Sequence, residues 1–426
     1  MAGSAGIIKP GLERISRLLR YLGNPQKNYL TVQIAGTNGK GSTASYLSNI
    51  LSSAKITTGL FTSPHICAPE ERIRVSGMPY EGKLHHDLRT LEKGFLASCS
   101  RQVKDRPTFF ELATACALDY FREKKVFLTI LEVGLGGRLD ATSAAGNIGK
   151  ILTDLSVDHR EFLGNTIEEI LLEKIVPLRG DFLISCPLPQ HLVHLASMIC
   201  QKTNCRLEQL GRDFFYEELG DGTFNFISKN GAMKALRKNA PGDFQYRNAA
   251  IAVAAAFRIA RYFNIGHGLL RRGIREGVAG TSLPGRFQKC SDNPIVILDV
   301  GHNYLSAKVL KNELIKMREK ATGKIVCVFT MMRNRNPVPF VKTLGKATDH
   351  FIFFPAGKLF WKKRMMESLD LNAFVDLSIA EDFSSAYDLA LNISGRDGVV
   401  ILTGSFLTGE KYFKTIGRHV LQVPAR

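Results

Sequence analysis

Residues 36–42 are the segment of the chain best suited to chemistry. In order they are Gly36, Thr37, Asn38, Gly39, Lys40, Gly41 and Ser42. They follow a strand-like apolar run at 30–35 and precede a helix-period segment. Glycines let backbone N–H groups converge on phosphate oxygens, a helix N-terminus favours negative charge, and a lysine can meet the β- and γ-phosphates. We predict a phosphate loop whose Ser42 hydroxyl faces a magnesium ion. The alternative is a glycine-rich turn with an incidental lysine.

A carboxylate and a histidine follow two further strand-like runs. Glu132 ends the run 127–132, at the position where open α/β sheets bind ligands. We predict that it holds a metal bridging to nucleotide phosphates, and the alternative is an ion pair with Arg138. Asp158 and His159 follow the run 151–155 and form a third candidate, although an isolated histidine is more often structural.

The last third of the chain contains two more candidates at strand ends. The run 295–299 ends in Asp299 and is followed by Val-Gly, His302 and Asn303. An Asp and a His at a strand end indicate a cleft, whereas the alternative is helix capping by Asn303. Gly404 and Ser405 follow the run 399–403, and their alternative is a plain strand-to-helix turn.

Short apolar runs alternate with helix-period segments along the chain, which predicts an α/β fold with covered parallel sheets. The predicted strands are 30–35, 127–132, 151–155, 182–185, 295–299, 325–329, 350–354 and 399–403. The predicted helices include 42–53, 110–121 and 167–175. Residues 214–227 are typical of an antiparallel hairpin, which we expect at the edge of the sheet. We predict an N-terminal P-loop ATPase domain with a mostly parallel sheet over 1–287 and a smaller Rossmann-like α/β domain over 288–426.

The chain is basic, with 57 Lys and Arg against 39 Asp and Glu and a net charge of +18. Such a surplus favours nucleic acid, acidic membranes or polyanionic small substrates as partners. The surplus is spread along the chain, and its densest cluster is Lys362, Lys363 and Arg364. Nucleic-acid binding would need a more concentrated block, so we expect no nucleic-acid partner.

Cysteine usage and hydropathy favour a reducing, cytoplasmic setting. The eight cysteines contain no Cys-x-x-Cys pair, so neither a zinc knuckle nor a disulfide framework is expected. No run approaches the ~18 apolar residues of a membrane span, and residues 1–20 lack the features of a secretory signal. We therefore expect a cytoplasmic protein without a membrane partner.

Together these residues resemble the folylpolyglutamate synthase/dihydrofolate synthase family, a branch of the ATP-dependent amide ligases that includes the Mur peptidoglycan ligases. The resemblance covers nearly the whole chain in order. Its segments are 22–26, 36–42, 62–65, 71–73, 108–111, 131–142, 158–159, 163–164, 173–174, Gln245, 248–249, 284–286, 299–303 and 404–405. The Mur ligases are less similar around 62–65 and 131–142.

The resemblance implies an ATP site and two magnesium ions. Residues 36–42 would bind ATP, with Asn248, Arg286 and Asp299 completing the site across the domain cleft. The implied ligands of the magnesium ions are Ser42, Ser63, Glu132 and His159. Lys174 matches a lysine that is carbamylated in the family, and a monovalent cation is a further expected cofactor.

The resemblance also implies the substrates and the chemistry. The pterin-binding positions would be Thr108, Phe110, Asp140 and Ala141. His302 and Ser405 would serve the incoming glutamate and the transfer step. The implied catalytic residues are Lys40, Lys174, Asp299, His302 and Ser405. ATP would convert a substrate carboxylate into an acyl phosphate, and the glutamate amine would then displace phosphate.

The chain departs from the family pattern at several positions. Residues 333–336, Arg-Asn-Arg-Asn, stand where Asp-Lys-Asp is typical, so that Asn334 and Asn336 replace two acids. Other departures are Ser143, Phe244, Tyr304 and residues 175–177. This chain therefore lacks the two negative charges that the family pattern places there, near the amino-acid substrate or in the closed state.

We expect a monomeric bifunctional ligase that adds L-glutamate to dihydropteroate and then to folates. The first alternative is a folylpolyglutamate synthase without the dihydropteroate activity. A P-loop ATPase acting on nucleic acid is an alternative from a different class. The departure at 333–336 suggests a third, a degenerate binding protein without catalysis.

Overall fold

Apolar runs bounded by glycine, proline or aspartate form the strands of the computed structural model, which describes residues 9–99, 105–176, 178, 180–319 and 322–417. These residues divide into two units. The N-terminal unit comprises residues 9–239 and 245–281, and the C-terminal unit comprises residues 240–244 and 282–417. The predicted α/β class with mostly parallel sheets is confirmed in both units.

An eight-stranded sheet of order β4-β3-β2-β5-β1-β6-β7-β8 forms the centre of the N-terminal unit. Its strands are β1 Leu30–Ala35, β2 Thr58–Phe61, β3 Ile73–Val75, β4 Met78–Pro79, β5 Leu128–Glu132, β6 Gly149–Leu152, β7 Phe182–Ser185 and β8 Arg206–Gln209. The six strands from β2 to β8 in this order are parallel. Strand β3 pairs antiparallel with β2, and β4 pairs antiparallel with β3. Because the central strands are parallel, the segments that leave them meet at one edge of the sheet.

Helices cover this sheet. They are α1 Glu13–Tyr21, α2 Lys40–Ser53, α3 Leu84–Ser98, α4 Phe109–Glu123, α5 Arg160–Leu163, α6 Ile167–Ile175, α7 Gln190–Lys202, α8 Phe244–Ile259 and α9 His267–Ala279. One core cluster joins α1, α3 and α4 to the strands through Ile15, Phe95, Leu112, Phe121 and Phe61. Burial of such side chains contributes about 1.5–3 kcal/mol each, so these helices hold the loops at the sheet edge in place.

The predicted hairpin is present, but its expected position is wrong. Strands β9 Phe214–Gly220, β10 Thr223–Ser228 and β11 Gly231–Arg237 form a separate antiparallel sheet of order β11-β10-β9. Its inner face packs on α8, where the Phe226 and Phe257 rings stack 5.8 Å apart. The alternating apolar residues of β10 need a partner surface, and α8 supplies it in place of the large sheet.

A six-stranded sheet of order β12-β13-β17-β14-β15-β16 forms the C-terminal unit. The strands are β12 Gln288–Asp292, β13 Ile295–Leu298, β14 Ile325–Phe329, β15 His350–Phe353, β16 Leu377–Ile379 and β17 Val399–Thr403. The helices are α10 Tyr304–Arg318, α11 Pro337–Leu344, α12 Lys363–Glu367, α13 Phe383–Ser394 and α14 Phe406–Thr415. Only β12 runs antiparallel to its neighbour among these strands. Buried Phe329, Phe340, Phe351 and Phe353 belong to the core of this unit.

Two further observations concern cysteines and membranes. All eight cysteines lie in the described ranges and are free thiols. None of the helices in the described part of the chain is long and apolar enough to cross a bilayer.

Candidate functional site

The loop at 36–42 joins β1 to α2 and has a backbone that only glycine tolerates at two positions. Gly36 and Gly39 have φ angles of +149° and +79°. A Cβ on Gly36 would collide with Thr153 Oγ1, and one on Gly39 would lie 2.6 Å from Asn248 Oδ1. The predicted strand, glycine loop and helix are therefore present, and the loop backbone is left open to a close approach by a ligand.

Two lysines converge on the carbonyl groups of this loop. Lys40 Nζ donates to Gly36 O at 3.1 Å and to Thr37 O at 3.3 Å. Lys174 Nζ, from α6, donates to the same Gly36 O at 3.3 Å. Burial and, to a smaller extent, the nearby Lys40 charge lower the pKa of Lys174 to about 7, while Asp158 and Asp154 oppose the shift. A substantial fraction of Lys174 is therefore a neutral amine near neutral pH.

Glu132 lies beside the loop, as its position at a strand end predicts. It ends β5, where it is in register with Ile34 of β1. Its Oε2 accepts a hydrogen bond from Ser63 N at 2.9 Å and would lie 3.2 Å from a Cβ on Gly41. Glu132 and Ser42 are each only 3% exposed. The alternative pairing with Arg138 is not what forms, because Arg138 Nη2 lies 2.6 Å from Glu173 Oε1.

The segment that carries Ser63 is held by a carboxylate that the sequence reasoning did not assign. Glu71 accepts hydrogen bonds from the backbone N–H groups of Ile66, Cys67 and Ala68 at 2.7–2.9 Å. Arg72 is also buried, and its pKa falls to about 10 through desolvation, against the attraction of Glu132 and Glu71. The chain between β2 and β3 therefore reaches Glu132 in a fixed conformation.

His159 occupies a strained backbone position near this edge. It precedes α5 with a φ of +50°, a conformation that is uncommon for residues other than glycine. Its ring nitrogens lie 4.0 Å from Asp158 and 3.9 Å from Glu161. Among the described residues, no group of three or more His, Cys, Asp or Glu side chains converges as a metal site. A metal bound through Ser42, Ser63 and Glu132 would thus depend on hydroxyl oxygens and on the oxygens of a ligand.

Two buried amides lie over the loop. Asn248 Nδ2 donates to Gln245 Oε1 at 2.9 Å. Within the described ranges, Asn248 Oδ1 and Gln245 Nε2 have no hydrogen-bond partner. Unsatisfied buried polar atoms are costly, so this amide pair fits a ligand on the loop. The resemblance assigned Asn248 to the ATP site but gave no role to Gln245. Gln245 lies three residues before Asn248 on the same helix, and this spacing could have indicated that the two side chains meet.

Thr153 is a second residue without a predicted role. Its Oγ1 donates to Asn38 O at 2.7 Å, across a sequence separation of 115 residues. The hydroxyl holds the middle of the loop against the end of β6. Thr153 lies within the predicted strand 151–155, so no local signal indicated this contact.

The predicted pterin positions lie on a second group of segments. Thr108 caps α4 in a reciprocal pair with Glu111, and Glu111 in turn accepts from Arg14 Nε at 3.0 Å. A Cβ on Gly134 would lie 2.8 Å from Phe110 Cζ and 3.2 Å from Asp140 Oδ2. The structure therefore brings Phe110 and Asp140 together beside Gly134, at the place that a Cβ would take.

Asp140 and Ala141, the other two predicted pterin positions on this segment, have structural contacts. The Asp140 carboxylate accepts from the N–H groups of Gly134, Leu135 and Thr142 and from the Thr142 hydroxyl, at 2.6–3.1 Å. Burial raises the pKa of Asp140, and these hydrogen bonds oppose the rise. Ala141 is buried in the core cluster of α1, α3 and α4. The role of both residues toward a pterin stays a prediction.

In the C-terminal unit, Asp299 fastens the chain around the end of β13. Its Oδ2 accepts from Phe287 N at 3.0 Å and its Oδ1 accepts from Gly301 N at 2.9 Å. Burial raises the pKa of Asp299, and the charge of Arg286 opposes the rise. The Arg286 guanidinium lies 5.2 Å from the centre of the Phe406 ring. Arg286 and Asp299 are thus neighbours, as the predicted nucleotide site requires of them.

His302 and Ser405 lie at adjacent strand ends. The His302 ring is 6.1 Å from that of Phe406, and its Nδ1 is 3.1 Å from Val300 O. Gly404 N donates to Gly301 O at 2.9 Å, which ties the two segments together. Ser405 accepts from Leu407 N as the N-cap of α14, and Asn303 caps α10 by accepting from Ser306 N. The capping alternative for Asn303 is therefore correct, and it is compatible with a ligand at the same edge.

A glycine loop that leads into a helix, followed by a second α/β unit with polar strand ends, is the architecture of the ATP-dependent Mur-type ligases. Residues 285–406 match the model of the Mur ligase, glutamate ligase domain. The dihydrofolate synthase/folylpolyglutamate synthase of Bacillus subtilis is 30% identical over 407 residues, which cover 93% of each chain. The chain belongs to the dihydrofolate synthase/folylpolyglutamate synthase family.

Solved structures agree with this assignment. Escherichia coli FolC in complex with DHPP and ADP has a TM-score of 0.84 and 29% identity, and the match covers 97% of this chain and 94% of that one. A bifunctional folylpolyglutamate synthase/dihydrofolate synthase with Mn, AMPPNP and L-glutamate bound has a TM-score of 0.81 and 27% identity, with coverages of 96% and 95%. The resemblance seen in the sequence is confirmed.

Proposed function

We propose that this protein is an ATP-dependent ligase that joins L-glutamate to dihydropteroate, forming dihydrofolate, and to folates, extending a polyglutamate tail. The observation that carries the proposal is the glycine loop with Lys40, Glu132 and Ser63 around it. Relatives over nearly the full length carry the names of both activities. In this proposal the protein is a cytoplasmic monomer, and nucleic acid is not a partner.

The residues around the loop fit a nucleotide and magnesium. The two glycine positions leave the loop backbone open, and Asn248 Oδ1 is a buried acceptor beside it without a partner among the described residues. Ser42, Ser63 and Glu132 supply hard oxygen donors, which magnesium prefers, and His159 adds one imidazole. In this proposal these four side chains hold two magnesium ions, and Asn248, Arg286 and Asp299 contact the nucleotide.

The residues then have separate tasks in the reaction. A carboxylate is a poor acyl donor, so it must first accept a phosphoryl group from ATP. Lys40 would neutralise charge on that group, which is the main help a protein gives to such a transfer, and bound magnesium supplies further charge neutralisation. His302 and Ser405 would orient the glutamate whose amine displaces phosphate, while water must be excluded to protect the acyl phosphate.

Lys174 has a supporting role in the proposal. An amine must be neutral to react with carbon dioxide, and burial keeps the pKa of Lys174 at about 7. Carbamylation of the neutral amine by carbon dioxide would release one proton and leave an anionic carbamate that supports a metal. A monovalent cation completes the proposed cofactor set. Thr108, Phe110, Asp140 and Ala141 would form the pterin subsite.

The test is a product assay with purified protein, ATP, Mg²⁺, dihydropteroate and glutamate. ADP, phosphate and dihydrofolate should appear in equal amounts, and only when all substrates are present. Replacement of dihydropteroate by tetrahydrofolate separates the bifunctional enzyme from a folate-only polyglutamate synthase. ATP hydrolysis that depends on added DNA or RNA would contradict the proposal in favour of a nucleic-acid-dependent ATPase.

A matched pair of variants tests the site itself. Glu132→Gln keeps an acceptor for Ser63 N but removes the charge, and it should lower kcat by about 10³-fold because the phosphoryl charge is no longer neutralised by bound metal. Glu123→Gln, at the exposed end of α4, makes the same chemical change away from the loop and should leave kcat within twofold. Equal activity of the two variants would contradict the metal assignment.

A further inference from the structure

Six basic residues meet on two loops at the carboxyl edge of the C-terminal sheet. Residues 332–336 follow β14 and residues 357–364 follow β15, and we call them the basic loop pair. The pair contains Arg333, Arg335, Lys358, Lys362, Lys363 and Arg364 and no acidic residue. All of these except Arg335 are exposed. Among the described residues, those five exposed cations have no carboxylate partner.

Main-chain hydrogen bonds hold the two loops together. Arg333 N donates to Leu359 O at 2.9 Å, and Trp361 N donates to Met331 O at 3.0 Å. The Arg333 side chain is oriented by a hydrogen bond from Nε to Phe360 O at 3.0 Å. The indole of Trp361 donates to Arg335 O at 2.9 Å and packs against the core of the unit. These hydrogen bonds therefore fix the backbone that carries the cations.

The position of the pair points to its ligand. In the order β13-β17-β14-β15, the loops after β14 and β15 are the next neighbours of the segments with His302 and Ser405. Adjacent strands lie about 4.8 Å apart, so the pair begins roughly 5–10 Å along the edge from Ser405. A ligand whose reacting end lies near His302 and Ser405 would carry its neighbouring groups over these cations.

We propose that the basic loop pair binds the free α-carboxylates of a γ-glutamyl tail on the substrate. This inference rests on the proposed function. Each γ-linked glutamate leaves one α-carboxylate uncondensed, so the tail gains one negative charge per residue. A short row of carboxylates fits cations at two adjacent strand ends, whereas a nucleic-acid footprint has to reach many phosphates. The pair would thus favour folates with longer tails over dihydropteroate, which has none.

The proposed binding of the tail gives a reason for the departure from the family pattern at 333–336. Asn336 keeps the capping role, because it is the N-cap of α11 and accepts from Val338 N at 3.0 Å. Asn334 and Asn336 replace the two acids of the Asp-Lys-Asp pattern that the resemblance leads one to expect, so Arg333 and Arg335 leave this loop with a net positive charge. The change therefore keeps the N-cap of α11 and leaves positive charge at the edge where the tail would lie.

The test compares KM values for dihydropteroate and for tetrahydrofolate with one, three and five glutamates. In the wild type, KM should fall as the tail lengthens. The triple variant R333Q/K358Q/K362Q should raise KM for the pentaglutamate about tenfold, since each exposed pair contributes modestly, and should change KM for dihydropteroate by less than twofold. Added salt should weaken the wild-type preference for long tails and have little effect on the variant.

The matched control is K324Q/K346Q/R396Q. These exposed cations lie in the segments that enter β14, β15 and β17, at the opposite edge of the same sheet. The control removes the same charge and should keep the preference for long tails. An equal loss in both triple variants would overturn the proposal, since a general field of the basic surface would then explain the preference. An unchanged pentaglutamate KM in R333Q/K358Q/K362Q would overturn it as well.

A binding titration separates this proposal from the proposed function. A γ-linked pentaglutamate peptide should bind the wild type more tightly than it binds R333Q/K358Q/K362Q, even if the protein turns over no pteroate. Absence of turnover with every pteroate and folate would reject the proposed function alone. If a DNA duplex lost affinity in this variant while the pentaglutamate bound neither protein, the tail proposal would be overturned in favour of nucleic acid.

Discussion

The polar side chains at the carboxyl edges of the two sheets differ in how deeply they are buried. In the N-terminal unit, Ser42, Glu132 and Lys174 are at most 4% exposed, and hydrogen bonds from distant parts of the chain hold the glycine loop. In the C-terminal unit, Asp299 is buried, but Ser405 and Asn336 act as helix caps and the neighbouring loops carry exposed cations. Our two proposals assign a ligand of fixed shape, the nucleotide, to the first edge and a ligand of variable length, the γ-glutamyl tail, to the second.

This contrast has a physical reason. A nucleotide phosphate chain is the same in every turnover, so buried groups with few alternatives can be fitted to it. A tail that grows by one residue per turnover can be held only by contacts that tolerate a shift in register, and exposed charges provide such contacts. The difference also indicates where the chain can change without loss of catalysis. The departure at 333–336 lies at the second edge.

The largest expected effect comes from breaking a buried ion pair of the N-terminal unit. Arg14 pairs with Glu111 at 3.0 Å, and both side chains are at most 10% exposed. Arg14→Met would leave the Glu111 carboxylate buried without its partner and should lower the free energy of unfolding by about 3 kcal/mol. It should also raise KM for dihydropteroate more than KM for ATP, because Glu111 holds Thr108.

The matched control for Arg14 is Arg318→Met in the C-terminal unit. Arg318 pairs with Asp349 at 2.8 Å, but the two side chains are 43% and 34% exposed. We expect less than about 1 kcal/mol from this change. Chemical denaturation measures both values, and equal losses would contradict the difference in construction between the two units.

A second prediction compares two glycines with positive φ angles, Gly39 and Gly395. Gly39→Ala places a Cβ 2.6 Å from Asn248 Oδ1, so the loop must shift, and a shift of about 1 Å at such a site can cost about 10²-fold in activity. Gly395 has a φ of +66°, and no atom of the described residues comes within 4 Å of the place that a Cβ would take there. Gly395→Ala should cost only the backbone strain of about 1–3 kcal/mol and keep kcat/KM for ATP within twofold. A similar kcat/KM in both variants would argue against the loop as the ATP site.

The third prediction concerns the pH dependence of stability through Lys174. Its pKa is about 7 in the folded protein, below the ordinary value of 10.5. Between these values the unfolded chain binds a proton that the folded chain lacks. The free energy of unfolding should therefore rise with pH from about 7 to 10.5, by up to about 1.4 kcal/mol per pH unit, while below pH 7 the full cost of burying the charge is present.

Lys174→Met should remove this slope, as measured by denaturation between pH 7 and 10 in buffer freed of carbon dioxide. Lys202→Met, at the exposed end of α7, is the control and should keep the slope. Parallel curves for wild type and Lys174→Met would show that the lysine is not held neutral by burial.

The smallest effect is expected at the cap of α11. Asn336→Ala should lower the free energy of unfolding by about 1 kcal/mol, because Val338 N loses its acceptor. Asn336→Asp restores an acidic residue and should leave stability within about 0.5 kcal/mol, since Asp and Asn cap equally well. Thermal unfolding of the two variants checks this, and a larger loss for Asp than for Ala would contradict the capping role.

Features that depend on local sequence could be predicted. The glycine loop at 36–42 needs only a strand, glycines and a helix in succession, and the position of Glu132 needs only a strand end next to it. The parallel sheet then brings such ends together without further information. Predicted strand ends differ from the structure by a few residues, as for the run 151–155, which became Gly149–Leu152.

Features that depend on contacts between distant segments could not be predicted. Thr153 reaches Asn38 across 115 residues and Arg14 reaches Glu111 across 97, and no local pattern marks such pairs. The hairpin was recognised from its alternation and its Gly-Asp-Gly turn, but its packing on α8 depends on which apolar face accepts it. For the same reason, the sequence showed Arg333 and Lys362 as separate charges, and only the pairing of their loops brings them together.

The central claim is that the glycine loop activates a substrate carboxylate by phosphorylation. The most direct measurement uses dihydropteroate labelled with oxygen-18 in its carboxyl group, with ATP, Mg²⁺ and glutamate. The account predicts one labelled oxygen in the inorganic phosphate for each dihydrofolate formed, because the acyl phosphate loses phosphate together with that oxygen. Dihydrofolate formed with unlabelled phosphate would contradict it.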